Sequence, residues 1–252
     1  MKRLFAFTLL FQLVLLTAQA QKVEAKKCAT CGKPIATCQY KGRHPKTNTT
    51  NSQATGKING HEWVDLGLSV KWATCNVGAN SPEDYGGYYA WGETSTKSNY
   101  TWDNCFDCLD DEGDSWSVYK IGGKTKLEPN SGHDTARQNW GGTWRMPTEK
   151  ELEELSKKCT WKWTLKGDHE GYEVIGPNSN SIFLPAAGYR DGTELFCISG
   201  DSVLGGQGSY WSSTLNDEDS YDACYLNFWR EGINIYSDGG RLNGFSVRPV
   251  TD

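Results

Sequence analysis

Past residue 20 the sequence lacks any apolar run approaching the ~20 residues that a helix needs to cross a bilayer, so no transmembrane span is expected in the body of the chain. Leu, Ile and Val are sparse, which argues against an ordinary aliphatic core. Histidine is scarcer still. Of the four, His61, His133 and His169 are scattered among loop-like stretches with no recognisable Ser or Cys partner, which does not suit a hydrolase. No nucleic-acid-binding motif is present, so no nucleic acid is expected as a partner.

What the chain does have begins with an export signal. Lys2 and Arg3 form a charged start, Leu4 to Thr17 is almost wholly apolar, and Ala18-Gln19-Ala20 offers a small-x-small cleavage site. No cysteine follows that site directly, so a lipid anchor is not expected; the mature chain is expected to start at Gln21 and to be periplasmic, cell-surface or secreted. Eleven Trp, twelve Tyr and eight Phe supply large apolar area per residue and predict an aromatic core. Twenty-eight glycines and a mean hydropathy of -0.63 predict a loop-rich soluble fold. Charge is unevenly divided. Residues 22 to 57 hold eight Lys or Arg against Glu24 alone, whereas the remainder of the mature chain holds sixteen basic and thirty acidic residues. A basic head could favour nucleic acid, anionic lipid or an acidic envelope polymer, but solvated lysines near a flexible terminus are the expected reading.

The expected organisation is a signal peptide over 1–20, a small Cys/His segment over 21–46, a Thr/Asn-rich linker over 47–57 and one large domain over 58–252. Short apolar runs between Gly, Asn and Asp clusters predict many strands in that domain: Glu62 to Leu68, Tyr88 to Trp91, Tyr172 to Ile175, Ile182 to Leu184, Tyr210 to Ser212, Cys224 to Phe228, Ile233 to Tyr236 and Phe245 to Val250. Two places read as helical. One is a short turn around Asp134 to Asn139, stopped by Gly141-Gly142. The other follows Pro147, where Thr148 and Glu151 make a capping box and Leu152, Leu155 and Cys159 share a face. The fold class is therefore α+β, with short helices and many short antiparallel strands.

Five ordered phrases carry a resemblance: His61-Glu62-Trp63-Val64-Asp65-Leu66-Gly67-Leu68-Ser69-Val70-Lys71-Trp72-Ala73, Tyr89-Ala90-Trp91-Gly92-Glu93-Thr94, Asn139-Trp140-Gly141-Gly142-Thr143-Trp144-Arg145-Met146-Pro147-Thr148, Tyr210-Trp211-Ser212-Ser213-Thr214 and Gly244-Phe245-Ser246-Val247-Arg248-Pro249-Val250. Together they resemble the Fibrobacter succinogenes major paralogous domain family over nearly all of Ile58 to Asp252. The resemblance implies a C-type-lectin-like fold in an exported or surface protein of a Bacteroidetes-type bacterium. The closing pattern is also similar to the variable segment of diversity-generating-retroelement target proteins, which display a changeable ligand surface on that scaffold.

The residues alone also argue for a binding surface. In Cys224 to Phe228 alternation puts Leu226 and Phe228 on one face and Tyr225 and Asn227 on the other, and in Ile233 to Tyr236 it opposes Ile233 and Ile235 to Asn234 and Tyr236. With Trp229-Arg230-Glu231-Gly232 as the turn and the aliphatic face inward, Tyr225, Asn227, Trp229, Arg230, Asn234 and Tyr236 are presented outward, with Asp238, Arg241 and Asn243 on the next loop. Rigid aromatic rings with amides and guanidinium groups suit a glycan or protein ligand. In the alternative, Tyr225 and Trp229 are covered by the Leu215 to Asp222 loop and complete an aromatic core. Trp63, Trp72, Trp91, Trp140, Trp144 and Trp211 are expected in the core, beside strands and tight turns. The competing role for the whole chain is a structural envelope component with no soluble ligand.

Cys28, Cys31, Cys38 and His44 have a count and spacing that could close a structural zinc knuckle, a disulfide plus a free thiol being the alternative in an exported chain. Cys75, Cys105, Cys108, Cys159, Cys197 and Cys224 allow fifteen pairings, among which the sequence does not choose. Cys105-Phe106-Asp107-Cys108 lies in an acidic stretch without thioredoxin-like surroundings, and Cys197 and Cys224 lack the neighbouring pattern of a copper-binding cysteine pair, so no enzyme is expected. Glu128-Pro129-Asn130 reads as a turn, and Asp217, Glu218, Asp219 and Asp222 as a solvated loop without the ordered ligand spacing of a calcium site.

Overall fold

The computed structural model describes residues 55–106, 126–197, 206–219 and 221–252, all within the second of the two units into which the chain divides, Thr50–Asp252. The signal segment, the Cys28/Cys31/Cys38/His44 segment and Cys108 lie outside the described residues. The unit is sheet-rich α+β, with twelve short strands, all paired antiparallel, and two α-helices among the described residues.

One sheet has the order β1–β2–β3–β12, formed by Thr55–Ile58, His61–Val64, Lys71–Ala73 and Val250–Thr251, so the last strand closes beside the first three. Strand β1 begins at Thr55, inside the stretch read from sequence as linker, because Thr55 to Ile58 pair residue by residue with Val64 to His61 across a tight turn at Asn59-Gly60. Strands β4 (Thr160–Lys166), β5 (His169–Ile175) and β6 (Ser181–Pro185) form a second sheet. Strands β7 (Tyr189–Asp191) and β8 (Glu194–Phe196) form a hairpin. The third sheet, β9 (Gln207–Leu215), β10 (Asp222–Trp229) and β11 (Gly232–Gly240), has β10 in its centre.

The helices sit where the sequence places them. Helix α1 (Thr135–Trp140) is capped by Asp134, whose carboxylate accepts from Arg137 N at 2.8 Å, and it ends at Gly141 with φ +65°, a backbone region that costs glycine nothing. Helix α2 (Glu149–Lys158) starts on the Thr148/Glu151 capping box, buries Leu152 and Leu155, and lies against the third sheet. The expected strands at Tyr88–Trp91 and Phe245–Val250 are reduced to a bridge between Tyr89 and Phe245 and the two-residue β12, since the backbone bonds beside that bridge go to separate partners, Trp91 N to Arg241 O and Val77 N to Val247 O, instead of one continuous ladder. Strand β4, unread in the sequence, carries Trp161 and Trp163 against the core.

Two aromatic-rich cores flank the third sheet. On its inner face Leu226, Phe228 and Tyr210 pack with Leu152, Leu155, Tyr172 and Trp72, with Ile233 and Ile235 packed against them. Around the opposite face Trp211 and Phe245 stack at 4.1 Å between ring centres and join Trp91, Trp140 and Trp144, with Tyr225 and Trp63 packed against that cluster. Five of the six tryptophans assigned to the core are buried, and Trp63 is half-buried. Arg248, also buried, links three parts of the fold. Its Nε donates to Asn76 Oδ1 (2.8 Å), its Nη1 to the carbonyls of Ala73 (3.0 Å) and Thr74 (2.7 Å), and its Nη2 to the carbonyl of Phe183 (3.0 Å). Among the described residues no helix is long and apolar enough to cross a membrane.

Candidate functional site

Strand parity in the β10–β11 ribbon decides where side chains go. Leu226 pairs with Ile235 and Phe228 with Ile233, all turned to the inner core, while Tyr225 pairs with Tyr236 and Asn227 with Asn234 on the opposite face. The ladder shifts register between Ala223 and Tyr225, on both sides of β10. That irregularity brings Asp238, Gly239 and Gly240 against the end of the ribbon that holds Tyr225.

At this end the outward face is a groove of about 340 Å³. Its bed is formed by Tyr225 and Asn227 of β10, Ser209 and Gln207 of β9, and Phe245; its rims carry Tyr189 and Asp191 of β7, Asp238 of β11, and Asn243. Backbone bonds hold β7 beside the bed: Arg190 N to Gly244 O and Gly244 N to Arg190 O, both 2.9 Å, and Gly188 N to Gln207 O at 2.6 Å. Gly239 is needed for the fit, since a Cβ there would come within 2.8 Å of both the Trp211 and Tyr225 rings. The rings run as a continuous row, with centre separations of 5.5 Å for Phe196–Tyr189, 6.0 Å for Tyr189–Phe245, 4.9 Å for Phe245–Tyr225 and 5.7 Å for Tyr225–Tyr236. Its two ends face water: Phe196 is 41% and Tyr236 37% exposed.

The groove is polar and acidic. Asn227, 6% exposed, gives its Nδ2 to Ser209 Oγ at 3.1 Å and keeps its Oδ1 as an acceptor. Burial, and then Asp238, Tyr236, Tyr189 and Asp222, push the Tyr225 hydroxyl up to about 12, so it stays a neutral donor. Burial together with the neighbouring Asp219 and Asp238 charges raises the Asp222 carboxyl above its ordinary value. Burial raises the Tyr189 hydroxyl, helped by Cys197 and Asp191.

Of the nine residues expected to form the site, Tyr225, Asn227, Asp238 and Asn243 line the groove. Tyr236 and Asn234 adjoin it, the amide of Asn234 donating to Tyr236 Oη at 3.2 Å. The other three do not line it. Trp229 is half-buried over the hairpin turn, where a Cβ on Gly232 would come within 2.6 Å of its indole. Arg230, exposed beside it, pairs with Glu170 at 2.6 Å and lies 5.8 Å from the centre of the Trp163 ring. Arg241 was expected at the surface and is fully buried, with its guanidinium 5.0 Å from the centre of the Trp91 ring and Nη2 reaching the carbonyl of Phe106 at 3.4 Å. A guanidinium that stacks on an indole face can be buried where an ammonium would resist. Two further expectations change. Asp238 lies within β11 and not on a loop, and Asn227 is buried although it faces outward, because Ser209 and the neighbouring segment cover it. Tyr225 is half-covered, its ring packing beside Trp211 and Phe245.

The sequence reading missed Tyr189, Asp191, Gln207, Ser209 and Phe245. One signal was available: Asp191-Gly192 is a hairpin dipeptide, and Asp191 pairs with Glu194 around Gly192 at φ +54°. Larger depressions of about 410 Å³ beside Leu165 and Phe183 and about 640 Å³ beside Gly86 and Arg190 contain none of the nine expected residues.

The remaining chemistry-bearing side chains are dispersed. Cys75, Cys159, Cys197 and Cys224 are free thiols, and Cys105 is in a disulfide. Burial pushes Cys224 up to about 12, with Glu149 adding to it, and Cys159 up to about 11, with Glu154 adding to it; Cys197 is raised by burial alone. None of these three is an activated thiolate. His61 stacks on Trp140 at 3.8 Å, with its basicity lowered by burial and by Lys57; His133 stacks on Phe106, and His169 meets Tyr85 edge-on. Glu128-Pro129-Asn130 is a turn, closed by Ser131 N donating to Glu128 O at 2.9 Å. Among the described residues no three His, Cys, Asp or Glu side chains are placed to hold a metal ion. Compared with protein-family models, curated proteins and solved structures, the chain matches none, so the functional reading rests on the groove's own residues.

Proposed function

We propose that this chain is an exported, non-catalytic binding protein that captures a ligand in the groove between β7 and the β9–β10–β11 sheet. The observation that carries the reading is the row of rings from Phe196 to Tyr236, flanked by the carboxylates of Asp191 and Asp238, which pair with no cation among the described residues, and by the accepting Oδ1 of Asn227. A polar concavity with a rigid aromatic bed gives contact area at low entropy cost and leaves oriented hydrogen-bonding groups to select a partner.

The body is read as a C-type-lectin-like module of the Fibrobacter succinogenes major paralogous domain type, supported by the five phrases and by the late-strand position of the groove. The zinc knuckle of Cys28, Cys31, Cys38 and His44 is proposed as a structural appendage, and a reverse transcriptase with a repeat matching residues 210–250 in the neighbouring DNA would make the groove a diversified one.

The test is capture. The wild-type chain, Tyr236→Ala and Asp238→Asn are applied in parallel to glycan and surface-protein arrays. Retention of the wild type that both substitutions abolish at unchanged melting temperature supports the reading. Absence of any retention favours a structural envelope component instead, and retention that both variants keep overturns the groove as the binding site.

A further inference from the structure

We propose, resting on the groove as the binding site, that its ligand is the basic side chain of a protein partner: a lysine or arginine whose alkyl stem lies along the aromatic row and whose cationic head sits between Asp191 and Asp238.

The argument starts from what neutralises each charge. Asp191 and Asp238 both line the groove, both are exposed, and neither forms an ion pair among the described residues. The arginines nearest in sequence are committed elsewhere. Arg190 lies 5.4 Å from the centre of the Tyr88 ring and donates to Thr193 O at 3.3 Å, while Arg241 is buried on Trp91. Among the described residues no Lys or Arg lines the groove. Asp219 and Asp238 both lie close enough to Asp222 for their charges to act on it, so among the described residues the negative field at this end of the ribbon has no counter-charge in the groove.

The remaining lining suits the stem and head of such a side chain. Tyr225, Tyr236 and Phe245 present faces and edges to an alkyl stem, and aromatic faces attract a cation. Asn227 is over nine-tenths buried, and its free Oδ1, with the carboxylates, accepts from N–H groups; a lysine offers three and an arginine five. A neutral saccharide would leave both carboxylates without a counter-charge. An anionic ligand is disfavoured by the same field.

The experiment is a titration of the isotopically labelled full chain, followed at the backbone amides of Asn227, Asp238, Gly239 and Gly240. The probes are Nα-acetyl-lysine methylamide, its Nε-acetylated neutral counterpart, the corresponding arginine amide and the neutral disaccharide maltose. The lysine and arginine amides are expected to move these amides saturably, at least about fivefold more tightly than the neutral counterpart, with affinity falling as salt screens the carboxylates. In the double variant Asp191→Asn/Asp238→Asn the cation affinity is expected to fall about tenfold while melting temperature holds. If maltose or the Nε-acetylated probe moves the same amides as strongly as the cation, or if the double variant binds the cation unchanged, the charge inference is overturned while the groove still binds. If no probe moves them, the inference is overturned together with the reading of the groove.

Discussion

Tyr225 and Tyr236 face each other across the ribbon with ring centres 5.7 Å apart, yet removing them should have unequal consequences. Tyr225 touches three rings, Trp211 at 6.0 Å, Phe245 at 4.9 Å and Tyr236, and packs against the second core. Truncating a fully buried aromatic side chain to Ala costs about 3–5 kcal/mol. Tyr225 is half-buried, so Tyr225→Ala should cost about 2–4 kcal/mol, which in a unit of this size lowers Tm by roughly 5–15 °C. Tyr236 has one ring partner and an exposed hydrogen bond from Asn234, so Tyr236→Ala should cost less than about 1 kcal/mol and shift Tm by no more than about 3 °C. Differential scanning calorimetry of the two variants, with near-ultraviolet circular dichroism to confirm retained aromatic packing, measures both. Equal losses would refute the division of the outward face into a covered end and a ligand-facing end.

Arg248→Met should destabilise by at least about 3 kcal/mol in urea unfolding, because three backbone carbonyls, those of Ala73, Thr74 and Phe183, lose a buried donor at about 1–3 kcal/mol each; a loss under about 1 kcal/mol would contradict that network. Burial alone would raise the Glu151 carboxyl, but the bonds from Arg145 and Thr148 outweigh it and hold it below its ordinary value. Its contribution is therefore present above the unfolded-state pKa of about 4.3 and is lost as pH falls through the lower folded value, so the stability gap between wild type and Glu151→Gln should close on acidification, with a pH-independent gap as the contrary result. For the Cys28, Cys31, Cys38 and His44 segment, elemental analysis of the full chain purified without chelator should find about one zinc per chain, lost in Cys38→Ser; a zinc-free chain whose peptide map shows a disulfide between two of Cys28, Cys31 and Cys38 would assign these cysteines to oxidation.

Much of the frame was legible because its signals are local. Thr148 and Glu151 stand at capping-box spacing, Asp134 and Gly141 bracket a single short helix, and Leu226, Phe228, Ile233 and Ile235 alternate with polar and aromatic partners, which fixes the inner face of the ribbon. Strand β4 carried a local signal that went unread: Trp161, Trp163 and Leu165 alternate with Lys162 and Thr164, although Leu165 ends up largely in water. The site was half legible. Parity gave Tyr225, Asn227 and Tyr236 a shared face, but nothing local indicates that Trp211 and Phe245 cover one end of it or that β7 forms its far rim. Those contacts join residues far apart in the chain. Arg241 shows the same limit, since an arginine beside Gly240 reads as surface until Trp91, some 150 positions earlier, supplies a ring to bury it against.

The claim on which the groove depends is that the aromatic row ends in water while the aliphatic face of the ribbon is closed, and hydroxyl-radical footprinting of the free chain reads both at once. Oxidation is expected to be fast at Tyr236 and Phe196, intermediate at Tyr225, and slow at Leu226, Phe228 and Trp211. Protection of Tyr236 and Phe196 together with rapid oxidation of Ile233 and Ile235 would mean that the ribbon faces the other way, and the groove would have no place on the molecule.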